Sequence, residues 1–282
     1  MGQQTSSDSE VVSLRALNGY GELKIKFFLP TEPKSRVIVL LSVGAGGSEE
    51  GYGYLGEFLS KRGYFTAIIG HPASDRAQLR HHIRESGFRD GITSLCTDPT
   101  VYHSRLADLS QAKAWAQSMY SSDLIVLVGH SLGAHTAVIE AGAENSMGVV
   151  GSDGFDGYVA MSPQGPGVIF PSEDCWKNIK KPILLITGTK DNDVGGRSWH
   201  TRALAFDGLP EGTNSKWLAV VQGASHFNFA GRGFGVRNAI AATTMLIDGF
   251  ICGLVGGSRE GSGLESCPPA ALSHLGIQLR RK

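Results

Sequence analysis

The chain lacks the features that mark a specialised environment. The longest apolar stretch, Ile240 to Val255, is interrupted by Asp248 and by threonines, so no membrane span is expected. There is no excess of either charge. Lys+Arg and Asp+Glu are 26 each, which removes the electrostatic footprint of a nucleic-acid binder. The amino terminus, Met1 to Ser6, has no apolar core of a secretory signal. A cytoplasmic location is therefore expected, with a secreted mature form also compatible. The same residues formally fit an N-myristoylation pattern, which short sequences often meet by chance. Only four cysteines occur, Cys96, Cys175, Cys252 and Cys267. Their spacing is not that of a metal site, and they neither demand nor exclude a disulfide. His81-His82 has no acidic cluster beside it, so no metal and no cofactor is expected.

What the chain has in quantity is glycine, 38 of 282 residues, against an ordinary usage of about 7%. The glycines are not periodic. They gather where apolar runs end: Gly44, Gly46 and Gly47; Gly129 and Gly133; Gly188; Gly223. Glycine just past a strand signals a tight turn or a close backbone approach, and several such places suggest one rim of one sheet.

Short apolar runs alternate with segments of helical period. Val37 to Val43, Phe65 to Ile69, Leu124 to Val128, Tyr158 to Met161, Ile183 to Thr187 and Trp217 to Val221 read as buried strands. Glu22 to Leu29 reads as an early strand, antiparallel to the rest. Helices are expected over Tyr52 to Lys61, His103 to Met119, Leu132 to Ala143 and Val236 to Leu254. The second carries a stripe at Leu106, Leu109, Ala112, Ala116 and Met119. The alternation implies an α/β fold, with parallel strands joined by right-handed crossovers. His71 to Val101 reads as a long irregular connection able to act as a partial cover, and residues 256–282 as a flexible tail after one domain over residues 1–255.

The strand ending at Val128 runs into Gly129-His130-Ser131-Leu132-Gly133 and then into a helical segment. Gly-x-Ser-x-Gly in that setting is a nucleophile elbow, which lifts a serine hydroxyl off the sheet and aims a helix amino terminus at it. A serine nucleophile needs a base, and the base an orienting carboxylate. In open α/β sheets both come from loops at the carboxyl ends of later strands. Asp191 follows the Ile183 strand, with Asp193 as its rival, and His226 follows the Trp217 strand in a glycine-led loop. The oxyanion hole is expected from the N–H groups of Leu132 and Ala45, the latter in the loop Gly44 to Ser48. A phosphate-binding reading of that loop fails, because the Lys-Ser/Thr of a P-loop is absent.

These segments resemble the α/β-hydrolase superfamily, in its branch of dienelactone-hydrolase-like and platelet-activating-factor-acetylhydrolase-like proteins. The resemblance covers about Val37 to Leu254. Its specific segments include Ser48 to Tyr64, His71-Pro72, Tyr102 to Arg105 with Asp108, Gly129 to Thr136, Met161 to Pro166, Thr187 to Asp191 and Gly223 to His226. It implies a mostly parallel sheet of about eight strands flanked by helices, with Ser131 as nucleophile, Asp191 as acid and His226 as base. Relatives typically have His-Gly where this chain has Val43-Gly44. True dienelactone hydrolases use cysteine at the elbow, so their substrate is not carried over.

The expected activity is hydrolysis of carboxylic esters, with a small-molecule ester as the binding partner. Acyl transfer or a lyase reaction on the same triad, or non-catalytic ligand binding, are the alternatives. His71, Trp199 and Phe227 are expected at the substrate pocket, with His200 nearby. Arg105 and Asp108, one helical turn apart, read as a structural ion pair. The segment from Met161 to Pro182 is too short for a helical lid, which favours soluble or moderately sized esters.

Overall fold

Apolar runs flanked by glycine become strands, and the longer periodic segments become helices. The computed structural model describes residues 9–17, 19–33, 36–193, 195–212, 215–256 and 263–282. Among these the strands are β1 (Ser9–Arg15), β2 (Glu22–Phe28), β3 (Val37–Ser42), β4 (Phe65–Gly70), β5 (Leu124–His130), β6 (Gly157–Met161), β7 (Ile183–Lys190), β8 (Lys216–Ser225) and β9 (Ile277–Arg281). The helices are α1 (Gly53–Lys61), α2 (Arg76–Ser86), α3 (Phe88–Thr97), α4 (Pro99–Met119), α5 (Leu132–Glu140), α6 (His200–Asp207), α7 (His226–Phe229), α8 (Val236–Gly256) and α9 (Pro269–His274).

The strands form one sheet in the order β1-β2-β4-β3-β5-β6-β7-β8-β9. The six strands from β4 to β8 are parallel, while β1, β2 and β9 run antiparallel to their neighbours. Chain order reverses between β3 and β5, where Ser42 pairs with Gly129. That switch point opens a crevice beyond the carboxyl ends of the two strands.

Strand periodicity sorts the side chains into two layers. Ile38 and Leu40 face a core shared with Ala112 and Ala116 of α4 and Ala137 and Val138 of α5. Val37, Val39 and Leu41 face a second core with Leu55 and Leu59 of α1 and Leu246, Ile247 and Phe250 of α8. Each Leu or Ile so buried is worth roughly 1.5–3 kcal/mol.

Helix α8 is long and apolar enough to span a membrane by composition alone, with a mean hydropathy of 1.8 over 18 residues. Its packing against the sheet accounts for that character, since Ala239, Ala242, Leu246, Ile247, Phe250 and Ile251 are buried. In α4, Leu109, Ala112 and Ala116 of the expected stripe are buried, Leu106 is half-buried and Met119 is exposed. Pro99 and the Asp98 cap, whose carboxylate accepts from the Thr100 N–H, start this helix four residues earlier than its periodicity suggests.

The mostly parallel sheet is as expected, with nine strands against about eight; the mostly exposed edge strand β1 and the terminal β9 carry weak patterns. Two expectations need correction. Residues 71–101 are not irregular: they hold α2, α3 and the start of α4. Helix α2 buries no residue fully and packs on α3; its apolar residues Leu79 and Ile83 are only half-buried. The supposed tail is folded from residue 263 onward. Leu264 enters the α8 core, and β9 pairs with β8 from Val221↔Ile277 to Trp217↔Arg281. The remainder of that stretch, residues 257–262, and the amino-terminal residues 1–8 with their acylation pattern lie outside the described residues.

Candidate active site

The elbow between β5 and α5 is built by close backbone approach. A Cβ on Gly129 would lie 2.1 Å from the Gly133 oxygen, and one on Gly133 would lie 2.0 Å from the Ser42 oxygen. Only glycine fits at either position. Between them Ser131 is held at φ 56° and ψ −120°, a conformation that costs a non-glycine residue of order 1–3 kcal/mol. Its N–H donates to the Met161 oxygen at 3.0 Å. The turn leaves the Ser131 side chain half-buried at the mouth of the crevice.

Two later strands bring an imidazole and a carboxylate to that hydroxyl. His226 Nε2 lies 3.0 Å from Ser131 Oγ, and His226 Nδ1 lies 3.0 Å from Asp191 Oδ1. His226 opens α7 directly after β8, where Asn228 Oδ1 accepts from the Ser225 N–H at 2.9 Å. Asp191 follows the irregularity of β7, whose register against β8 shifts between Gly188 and Lys190. Gly188 permits this, because a Cβ there would meet the Ala224 oxygen at 2.2 Å.

The Asp191 carboxylate is fully buried and well satisfied. Thr187 Oγ1–H donates to its Oδ2 at 2.9 Å, and Arg202 Nε lies 3.2 Å from Oδ1. Arg202 also donates to the backbone oxygens of Asp191, Ser162 and Pro163. Burial lowers the pKa of this guanidinium and the Asp191 charge opposes the shift. The rival Asp193 turns away and is engaged by Arg197, whose N–H and Nε donate to its two oxygens at 2.8 and 2.5 Å.

Leu132 is the first residue of α5 and Ala45 lies in the loop after β3. In that loop Gly44 N–H faces Tyr52 Oη at 3.5 Å, Gly46 N–H donates to the Ser74 oxygen and Gly47 N–H to the Gly44 oxygen. Among the described residues, Ala45 is the one member of Gly44–Gly47 whose N–H has no protein acceptor. A buried polar cluster supports this loop from beneath. Arg105 donates to the Val43 oxygen at 2.6 Å, to Ser42 Oγ at 2.8 Å, and to Ser74 Oγ and Thr136 Oγ1. His71 joins Ser42 Oγ through Nε2 and Asp108 Oδ2 through Nδ1, both at 2.9 Å. Burial, aided by Arg105, pushes His71 down to about 4, so the ring is neutral and its contact with Asp108 is a hydrogen bond rather than an ion pair.

A cleft of about 620 Å³ opens over Ser131 and His226. Phe227 lines it, 67% exposed, as does Ala45. His71 and Trp199 do not, contrary to expectation. His71 is sealed beneath the loop by the turn that Pro72 begins, and Trp199 stacks on His200 at 3.8 Å while packing against the core. The cleft carries charged side chains from Lys24, Glu49, Arg76 and Arg232. The residues that sequence reading misses are Arg202, Thr187, Tyr52 and His130. No group of three or more His, Cys, Asp or Glu able to hold a metal occurs among the described residues. His82 is engaged by Ser94 and His81 by Glu85, and all four cysteines are free thiols.

No family model matches the chain, and no curated protein matches it in sequence. Solved structures do. A dienelactone hydrolase from Anabaena variabilis superposes with a TM-score of 0.58 at 20% identity, over 87% of this chain and 97% of its own. Est1E from Butyrivibrio proteoclasticus gives 0.56 at 14% identity, over 84% and 96%. The esterase Pf2001 of Pyrococcus furiosus gives 0.56 at 17% identity, over 87% and 92%. Likeness at this level speaks for architecture: the chain has the α/β-hydrolase fold, in a form similar to dienelactone hydrolases and esterases.

Proposed function

We propose that the protein is a serine hydrolase that cleaves carboxylic esters of small, water-soluble molecules through an acyl-enzyme. The observation that carries this reading is the unbroken chain from the buried Asp191 carboxylate through His226 to Ser131 Oγ, each link 3.0 Å long, with the serine on a strained elbow at the crevice.

In the first half-reaction His226 Nε2 takes the Ser131 proton as Oγ attacks the ester carbonyl carbon. Asp191 holds the ring through its Nδ1–H and stabilises the imidazolium. The carbonyl oxygen, now carrying the negative charge, is received by the N–H groups of Leu132 and Ala45; removing one such donor typically costs about 10²–10³ in rate. The imidazolium protonates the departing alcohol. Water then enters, gives its proton to His226 and attacks the acyl carbon; His226 returns that proton to Ser131 as the acid leaves. The fold likeness to proteins described as a dienelactone hydrolase and esterases agrees with this chemistry. The charged, open cleft favours polar esters over long acyl chains.

The test is labelling with a fluorophosphonate probe together with turnover of short p-nitrophenyl esters graded by acyl length. Label on Ser131 and activity that declines with chain length are expected. Full turnover by Ser131→Ala would reject the assignment.

A further inference from the structure

Helix α7, which carries His226, has only four residues, too short to be rigid by itself. The oxyanion loop, with Gly44, Gly46 and Gly47, is conformationally permissive as well. Both must nevertheless hold their geometry to within fractions of an ångström for the proposed reaction. A hydrogen-bonded path joins them. His130 Nε2 lies 3.1 Å from the His226 backbone oxygen, His130 Nδ1 lies 2.7 Å from Tyr52 Oη, and Tyr52 Oη lies 3.5 Å from the Gly44 nitrogen.

The chemistry of the ends fixes every direction along this path. A carbonyl oxygen can only accept, so His130 carries its proton on Nε2 and donates to His226. Nδ1 then holds a lone pair, so the Tyr52 hydroxyl donates to it. The Tyr52 oxygen is left to accept from the Gly44 N–H. We propose that the Tyr52 hydroxyl is a positioning group of the ester-cleaving site, coupling the oxyanion loop to the backbone of the base through His130; this rests on the function proposed above.

Four further observations agree. Tyr52 occupies the left-handed region at φ 59°, ψ 20°, a conformation seldom taken by a tyrosine, as the residue that starts α1. Burial, the largest influence on both groups, raises the hydroxyl to about 12 and holds the His130 ring well below its ordinary value, so both stay neutral and the proton order is fixed. The His130 and His226 rings lie 4.8 Å apart, where a charged His130 would oppose the imidazolium that His226 must become. At the other end, capture of the Gly44 N–H leaves the Ala45 N–H as the loop amide open to substrate.

The test is Tyr52→Phe, which keeps the ring and removes one hydroxyl, read by steady-state kinetics and by 15N NMR of the histidine rings. Expected are a kcat reduced about tenfold, the worth of roughly one buried hydrogen bond, with KM little changed, and a His130 ring that keeps its Nε2 proton while its Nδ1 resonance moves on losing the hydroxyl donor. Unchanged kcat, or a His130 Nδ1 resonance that does not move in the variant, overturns the proposal. Should the variant not fold, the wild-type spectrum decides: a proton on His130 Nδ1 overturns the coupling, and one on Nε2 alone supports it. A wild type inert to every ester and to the fluorophosphonate probe removes the function and the catalytic half of this proposal together. An esterase whose His130 Nδ1 resonance ignores Tyr52 removes the coupling alone.

Discussion

The molecule contains two hydrogen-bonded Ser–His–Asp chains, and their contrast is instructive. Ser131, His226 and Asp191 are linked at 3.0 and 3.0 Å; Ser42, His71 and Asp108 are linked at 2.9 and 2.9 Å. By residue type and distance they are nearly interchangeable. Their settings are not. Ser131 sits at positive φ on an elbow that opens into the cleft, and the His226 side chain is 25% exposed. Ser42 ends a regular strand, and His71 and Asp108 are fully sealed. Ser42 Oγ is also gripped by Arg105, and burial, aided by that charge, makes His71 a poor base. Access, amides able to receive an oxyanion, and a part-exposed imidazole separate a proposed catalytic chain from a structural brace. The brace lies directly under the other array, because Arg105 holds Val43 and the Ser42 oxygen abuts Gly133.

The sharpest way to break this comparison is to remove each serine hydroxyl. For Ser131→Ala, kcat is expected to fall about 10⁶-fold with the thermal midpoint almost unmoved. For Ser42→Ala, fluorophosphonate labelling of Ser131 should persist while urea unfolding shows a loss of about 1–3 kcal/mol, because His71 and Arg105 each lose a buried partner. Equal loss of labelling in both variants would erase the distinction. The carboxylates divide in the same way. Asp191→Asn is expected to lower kcat about 10⁴-fold by releasing the His226 tautomer. Asp108→Asn leaves Arg105 without its buried counter-charge, and a loss of about 3–5 kcal/mol in urea unfolding is expected.

The two arrays also differ in how much of them can be read from sequence. The elbow is legible because strand, glycine turn and helix are contiguous and their constraint is local. The strands β3 to β8 are legible for the same reason: burial on both faces imposes a continuous apolar run. Asp191 and Asp193 stand two residues apart, and only tertiary contacts separate them: Asp191 reaches His226, while Asp193 pairs with Arg197. Tyr52, His130 and Arg202 carry no local signature, because their partners lie far away in the chain; Tyr52 and His130 are 78 residues apart. His71 reads as a pocket residue because it follows a strand, but the turn at Pro72 packs it inward. Helix α2 escapes notice because nothing in it is fully buried, and β9 because its short alternation follows a stretch rich in glycine and serine.

The sealed array should leave a third mark, in the acid limb of stability. His71 in the folded chain is held down at about 4 by burial and by Arg105, against 6.5 for a free histidine. Between these values the unfolded chain binds the proton and the folded chain does not, so stability is greatest above pH 6.5 and declines as pH falls toward 4. The full difference is worth up to about 3 kcal/mol. His130 and His135 are also depressed by burial, and add to the slope in the same direction. The measurement is the urea midpoint of wild type and His71→Gln across pH 4 to 7. Replacing the imidazole lowers stability at pH 7, where its hydrogen bonds are lost, but the gap between the two proteins should narrow steadily on acidification. A gap that stays constant or widens would mean that His71 is charged in the folded chain and that its contact with Asp108 is an ion pair after all.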